Sequence, residues 1–222
     1  MILIFELLAF AVSVIAFAYG AFHLFRKGEP KYFQLYVCAT GCYMLEELWS
    51  IVQLLFGSSE SDGLLTVRLL GFFGCLCFML SANANEFDKV VEEQKSRRAR
   101  LFALAAPILL LGSYAIYAFS PANTSPAGPI IVGLVSISPA LGGAYFSTKH
   151  LLLPKDGMGL LKTTNRIDAV ALAFYAANYG YPLLYLHTSE MVMSICDVIL
   201  AGMLFAVTVL CKKGAAKWKT FI

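Results

Sequence analysis

The chain has 222 residues, 59% of them hydrophobic and only 14% charged, with a mean hydropathy of +0.72 and a formal net charge of +3. Soluble domains carry about 25% charged residues, so this chain cannot clothe itself in a water-facing surface. Its solvent over most of its length is lipid.

A bilayer-spanning helix takes about 20 predominantly apolar residues. Seven runs meet that need: residues 2–25, 32–56, 64–84, 101–119, 130–147, 167–187 and 191–211. None alternates with a period of two, the mark of a transmembrane barrel strand, so the spans read as α-helices. Run 1 is long and aromatic, has no basic segment before it and no small-residue cleavage site, and reads as a retained span rather than a leader.

The connections alternate in charge. Of the 17 Lys and Arg residues, all but Arg68 fall in the first, third and fifth connections and the tail. The first holds Arg26, Lys27 and Lys31, and the third holds Lys89, Lys95, Arg97, Arg98 and Arg100. The fifth holds Lys149, Lys155, Lys162 and Arg166, and the tail Lys212, Lys213, Lys217 and Lys219. The other three connections carry no basic residue. Short cytoplasmic loops are the ones enriched in Lys and Arg, so the pattern predicts an N-terminus outside and a C-terminus in the cytoplasm. Residues 86–100 read as a helical extension of span 3, and the basic tail 212–222 is suited to an anionic leaflet. The sequence predicts no soluble catalytic or nucleic-acid-binding domain after the last span.

Ionisable groups inside the runs cost about 2.5–3.5 kcal/mol each on insertion scales, and such residues pair or serve a function. Span 2 carries Glu46 and Glu47, span 3 carries Arg68 and span 7 carries Asp197, with Glu6 near the outer end of span 1. At 1.5 Å per residue, Glu47 lies roughly 15 Å deep and Arg68 roughly 9 Å. Spans 2 and 3 share a short outer connection, so an Arg68–carboxylate pair is within reach, and only one carboxylate can take it bidentately. Helical spacing gathers Thr40, Tyr43, Glu46, Glu47, Ser50 and Gln53 on one arc of span 2. Tyr175, Asn178, Tyr179, Pro182 and Tyr185 share an arc of span 6, and Ser194, Asp197, Ala201 and Thr208 one of span 7. Acids outnumber the one arginine, and such a field favours cations or protons. A charge pair that only fixes helix packing is the competing reading, and for the span 6 tyrosines it is an interfacial aromatic belt. Pro107, Pro139 and Pro182 interrupt spans 4, 5 and 6, as proline commonly does in membrane helices.

Several chemistries lack their residues. No lysine sits mid-span for a retinal Schiff base, and His23, His150 and His187 lie near span ends rather than clustered with carboxylates as metal ligands. A buried Ser–His nucleophile pair and a phosphate-binding glycine loop are missing too. The six cysteines all lie within or at the ends of spans with no C-x-x-C pair, which makes them small buried apolar residues rather than disulfides or zinc ligands. The triplet at 123–125 matches a glycosylation sequon, a pattern common by chance. A faint echo of Ser61, Asp62, Thr66, Arg68 and Gly74 by Ser189, Glu190, Ser194, Cys196 and Gly202 would suit two three-helix units joined by span 4.

The sequence therefore predicts an all-α integral membrane protein, a seven-transmembrane helix bundle in one domain over residues 1–222. It predicts a multi-pass plasma-membrane location, with no cofactor, metal or catalytic constellation. The expected site is a polar, acid-rich cavity facing outward, with Glu47, Arg68 and Asp197 as principal ligands and Glu46, Tyr175, Asn178 and Tyr179 as its wall. The expected function is that of a small-solute-binding sensor or receptor subunit. Its partners would be the bilayer, a cationic or amphipathic small molecule and a signalling protein at the cytoplasmic loops, with no nucleic acid. A cation- or proton-coupled transporter and a membrane assembly protein are the alternatives. The transporter needs a polar path through the inner half, where Asn83, Asn85, Asp168 and Thr208 are the available groups.

Overall fold

The computed structural model describes residues 2–56, 62–84, 97–120, 127–152, 159–185 and 190–218, with side chains at 62–70, 127–132, 159–162, 180–185, 190 and 193 outside that description. The Arg68 side chain, the 123–125 sequon, most of the third connection, His187 and the chain's last four residues thus lie outside the described residues.

The described chain is all helix and turn. In order come α1 (Ile2–Leu24), α2 (Lys31–Phe56), α3 (Asp62–Asn83), α4 (Arg97–Ala103), α5 (Ala105–Ala118), α6 (Ala127–Leu152), α7 (Gly159–Tyr185) and α8 (Glu190–Trp218). α4 and α5 form one rod with a break at Leu104. The break has a local cause: Pro107 lacks an N–H and its ring crowds the carbonyl four residues earlier, and Leu104 N–H instead bonds Leu101 three residues back at 3.2 Å. Pro139, by contrast, sits inside an uninterrupted α6. Counting α4–α5 as one, seven helical rods are described. Three are long and apolar enough to cross a membrane, Ile2–Leu24, Arg97–Ala118 and Ser194–Trp218, which makes this a multi-pass membrane protein.

Several helices outrun the apolar runs from which they are predicted. α6 continues to Leu152, α7 begins at Gly159 and α8 reaches Trp218. Backbone hydrogen bonding continues into polar sequence because a helix that leaves its amides unpaired near lipid has nothing else to bond them. Arg97–Arg100, expected to extend span 3, instead opens α4.

α2 is the hub. It packs on α1, α3 and α8, while α3 packs on α6, α6 on α7, α7 on α8 and α8 on α1, closing a ring with α4–α5 outside it against α6 and α7. The pairing order α1–α2–α3 thus recurs in α6–α7–α8. Small residues let the hub helices approach. α1 buries Ala9, Ser13, Ala16 and Gly20 at intervals of three and four, a small-residue seam of the kind that drives helix association in lipid. A Cβ on Gly20 would stand 2.7 Å from Thr208 Cγ2 and 2.8 Å from Val37 Cγ2, so α1 is pinched between α8 and α2 there. Gly71 of α3 sits as tightly on α2, where its Cβ would meet the Cys42 carbonyl oxygen at 3.0 Å and Glu46 Cβ at 3.2 Å.

The bundle exposes large apolar side chains and buries ionisable groups beside its apolar core. Ile108 is 66% exposed and Phe119 86%, whereas Glu47 is 2% exposed and Asp168 and Asn83 are fully buried. In water that distribution would be perverse; with lipid around the bundle it is what transfer energetics demand.

Candidate functional site

Polar side chains inside the bundle fall into two groups, one toward each end, joined by a seam on α2. The seam comes directly from helical spacing. Tyr36, Thr40, Tyr43, Glu47 and Ser50 recur at intervals of four and three, which stacks them on one face, and all are buried.

The first group lies between α1, α2 and α8, at the end of the bundle opposite the basic connections. Ser194 Oγ of α8 donates to Glu6 Oε1 of α1 at 2.9 Å, and Glu6 Oε2 has no hydrogen-bond partner among the described residues. One to two turns deeper, Tyr43 Oη stands 3.3 Å from the Asp197 carbonyl oxygen and within hydrogen-bonding reach of the Glu47 carboxyl. Glu47 Oε2 has no partner among the described residues. Glu46, Asp197 and Glu6 all lie near enough to act electrostatically on Glu47, Glu46 most strongly. All four carboxyls are buried. Among the described residues no three metal-ligating side chains converge.

Arg68 belongs to this neighbourhood by register. Its position on α3 is three residues, or just under one turn, outward of Gly71, whose backbone lies against Glu46. The helix pair α2–α3 is antiparallel, so the Arg68 position falls opposite the turn that carries Glu47 and Ser50.

The tyrosines expected in the wall sit elsewhere. Tyr175 is fully buried on α7 and packs its hydroxyl end against Gly143 of α6. Tyr179 stacks edge-on to Tyr114 of α5 with ring centroids 6.4 Å apart, and the Tyr179 carbonyl accepts from Ser113 at 3.4 Å. Asn178 is half-buried on the same helix. Thus Glu46, Glu47 and Asp197 come together around α2 and α8, whereas Tyr175 and Tyr179 face α6 and α5. Phe174 is the element between them, its ring 6.0 Å from that of Tyr43 and 6.3 Å from that of Tyr175.

The second group joins Asn83 and Asp168, two of the inner-half polar groups named from the sequence, to Tyr36, Ser147 and His150. It lies toward the basic end and links four helices. Tyr36 Oη of α2 donates to Asn83 Oδ1 of α3 at 2.6 Å, and Asn83 Nδ2 donates to Ser147 Oγ of α6 at 2.8 Å. The Ser147 side chain also adjoins Asp168 of α7, whose Oδ2 is 3.2 Å from His150 Nδ1. Tyr36, Asn83, Ser147, His150 and Asp168 are all buried, and Asp168 Oδ1 has no partner among the described residues. Between the groups, Thr40 and Thr208 hydroxyls approach to 3.4 Å across α2 and α8.

Beyond Asn83 and Asp168, the sequence carries a further signal for this second group: Ser147 and His150 are three apart on one helical face, level with Asn83 at the end of α3. That signal is legible only if α6 runs past residue 147. No protein family, curated protein or solved structure matches this chain. Function must therefore be argued from these two polar groups.

Proposed function

We propose that the protein spans the membrane seven times, with its acid end outside and its basic end in the cytoplasm, and binds a small cationic or amphipathic solute on Glu6, Glu46, Glu47 and Asp197. In this reading it is a sensor or receptor subunit of the plasma membrane, and ligand occupancy is passed to a protein partner through the basic connections. One observation carries the reading: four carboxyls are buried together, with Glu47 Oε2 and Glu6 Oε2 lacking a donor among the described residues. Buried carboxylates without counter-charge are costly. A cation beside Glu47 Oε2 and Glu6 Oε2 would offset that cost, and the field of the acids would concentrate it.

The test is binding of tetraethylammonium to the protein in lipid nanodiscs. Replacing Glu47 by Gln and Asp197 by Asn keeps volume and hydrogen-bonding while removing charge. A loss of affinity of tenfold or more, equivalent to about 1.4 kcal/mol, is expected for each. Unchanged affinity in both variants would overturn the assignment of these carboxyls. Absence of any saturable binding by the wild type would leave the buried charges as packing devices, the assembly-protein reading.

A transporter is the second reading, favoured by the seam itself. Thr40, Thr208, Tyr36, Asn83 and Ser147 continue the polar line from Tyr43 toward the basic end. Proteoliposomes separate the two: a receptor binds without net uptake, whereas a coupled transporter accumulates the cation when a pH gradient is imposed.

A further inference from the structure

The acid cluster does not account for the buried polar network at the other end of the bundle. We propose that the His150–Asp168 pair, held in place by Tyr36, Asn83 and Ser147, is a proton-binding site of this protein, distinct from the acid cluster. Asn83 can donate only through Nδ2 and accept only through Oδ1. With Tyr36 donating to Oδ1 and Nδ2 donating to Ser147, the Ser147 hydroxyl has its own proton left for Asp168. The donors run from Tyr36 through Asn83 to Ser147, whose hydroxyl lies beside Asp168, and His150 reaches the same carboxyl from one turn along α6. Asp168 is the sink of the network, and its Oδ1 is a fully buried acceptor with no donor among the described residues.

A neutral imidazole beside an ionised carboxylate carries one net negative charge, and one added proton brings the pair to zero. The proton belongs to the pair rather than to either residue, as in any strongly interacting buried dyad. Histidine is the side chain built for such exchange near neutral pH. The groups that face the pair come from every neighbouring element. Tyr32 and Tyr36 on α2, Cys211 on α8 and Tyr175 on α7 lie within electrostatic range of Asp168. Lys149 adjoins His150 on α6, its ammonium over the Phe146 ring at 5.7 Å. α3 contributes the uncharged Asn83, and α4, packed on α6, brings Arg97, Arg98 and Arg100 to this end of the bundle.

The ties from the pair run to α2, the hub that also carries Glu47. Loading the site changes the charge that Ser147 and Asn83 donate toward, and hence the strength of the Tyr36–Asn83 bond. Tyr36 and Asn83 are positioning residues in this scheme, and the pair itself takes the proton.

The experiment is a pH titration of the nanodisc-embedded protein labelled with 15N-histidine, followed by NMR. The chain has 3 histidines, and the His150 signal is identified by its loss in His150→Gln. His150 is expected to change protonation state between about pH 5 and 8, with a midpoint that moves in Asp168→Asn. Tyr36→Phe is expected to change the proton affinity about three- to twenty-fold, the range that one interhelical hydrogen bond spans; a merely structural tyrosine would leave it fixed. Glu47→Gln is expected to retain the His150 titration whether or not that variant binds cations, so failure of the acid site and failure of this one are separable. A wild-type His150 resonance that holds one protonation state across the range would overturn the proposal without recourse to any variant.

Discussion

The Tyr36–Asn83 bond is the place where the network can be weighed. At 2.6 Å and fully buried, it ties α2 to α3, and the 2.8 Å bond from Asn83 to Ser147 ties α3 to α6. Interhelical hydrogen bonds within membranes are worth about 0.6 kcal/mol on average and about 1.7 at most. Asn83→Ala removes two of them and should destabilise the protein by about 1.2–3.4 kcal/mol on that scale. Tyr36→Phe removes one hydroxyl while keeping the ring that packs edge-on to Tyr32, 5.4 Å between centroids. A double-mutant cycle over the two positions isolates their bond, and the expected coupling is about 0.6–1.7 kcal/mol. Reversible unfolding in mixed detergent micelles supplies the four free energies. Additivity of the two substitutions to within about 0.3 kcal/mol would mean that the donor chain contributes nothing. The reasoning that makes Asp168 its terminus would then fail.

Two further outcomes probe the frame around the sites. Gly20→Ala forces a methyl against Thr208 and Val37 at 2.7 and 2.8 Å, and should cost about 1–3 kcal/mol as overpacking. The same change at Gly202, where a Cβ meets nothing within 4 Å, should be neutral or stabilising, so equal effects at the two glycines would contradict the packing of α1 between α2 and α8. Membrane orientation is checked by single cysteines in a background without the six native ones: Ser58→Cys should react with an impermeant maleimide on intact cells, and Lys213→Cys only after permeabilisation. Reversed labelling would invert the assignment of outer and inner ends.

Helical character and the apolar rods were legible because lipid leaves a coarse trace: long runs without charge, separated by clusters of Lys and Arg. The faces of α2 and α8 were legible for a similar reason, since polar groups at three- and four-residue intervals have to share a side. Partner choice was not. Tyr175 and Tyr179 share a face, yet that face turns toward Gly143 and Tyr114 rather than toward Glu47. Periodicity gives the existence of a face and its members but not its rotation about the helix axis, which depends on where a neighbour offers a glycine. The sequence does mark both glycines and tyrosines; it does not say which pairs meet.

The basic-end network was hidden by a different effect. Hydropathy ends span 5 at residue 147 and starts span 6 at 167, because Lys149, His150 and Lys162 are polar and a hydropathy scale assigns polar residues to water. α6 and α7 extend beyond those limits, and once they do, His150 and Asp168 face each other inside the bundle instead of flanking a loop. The general point is physical. A transfer scale prices each side chain as though it were alone, and a histidine alone belongs in water. A histidine whose carboxylate partner arrives from the next helix, with a serine, an asparagine and a tyrosine lined up behind it, has its solvation supplied by the protein. Pairing can pull polar residues inward across a boundary that composition draws, and the places where it does so are where ionisable groups are least expected and most constrained. In this chain that place is the junction of α2, α3, α6 and α7.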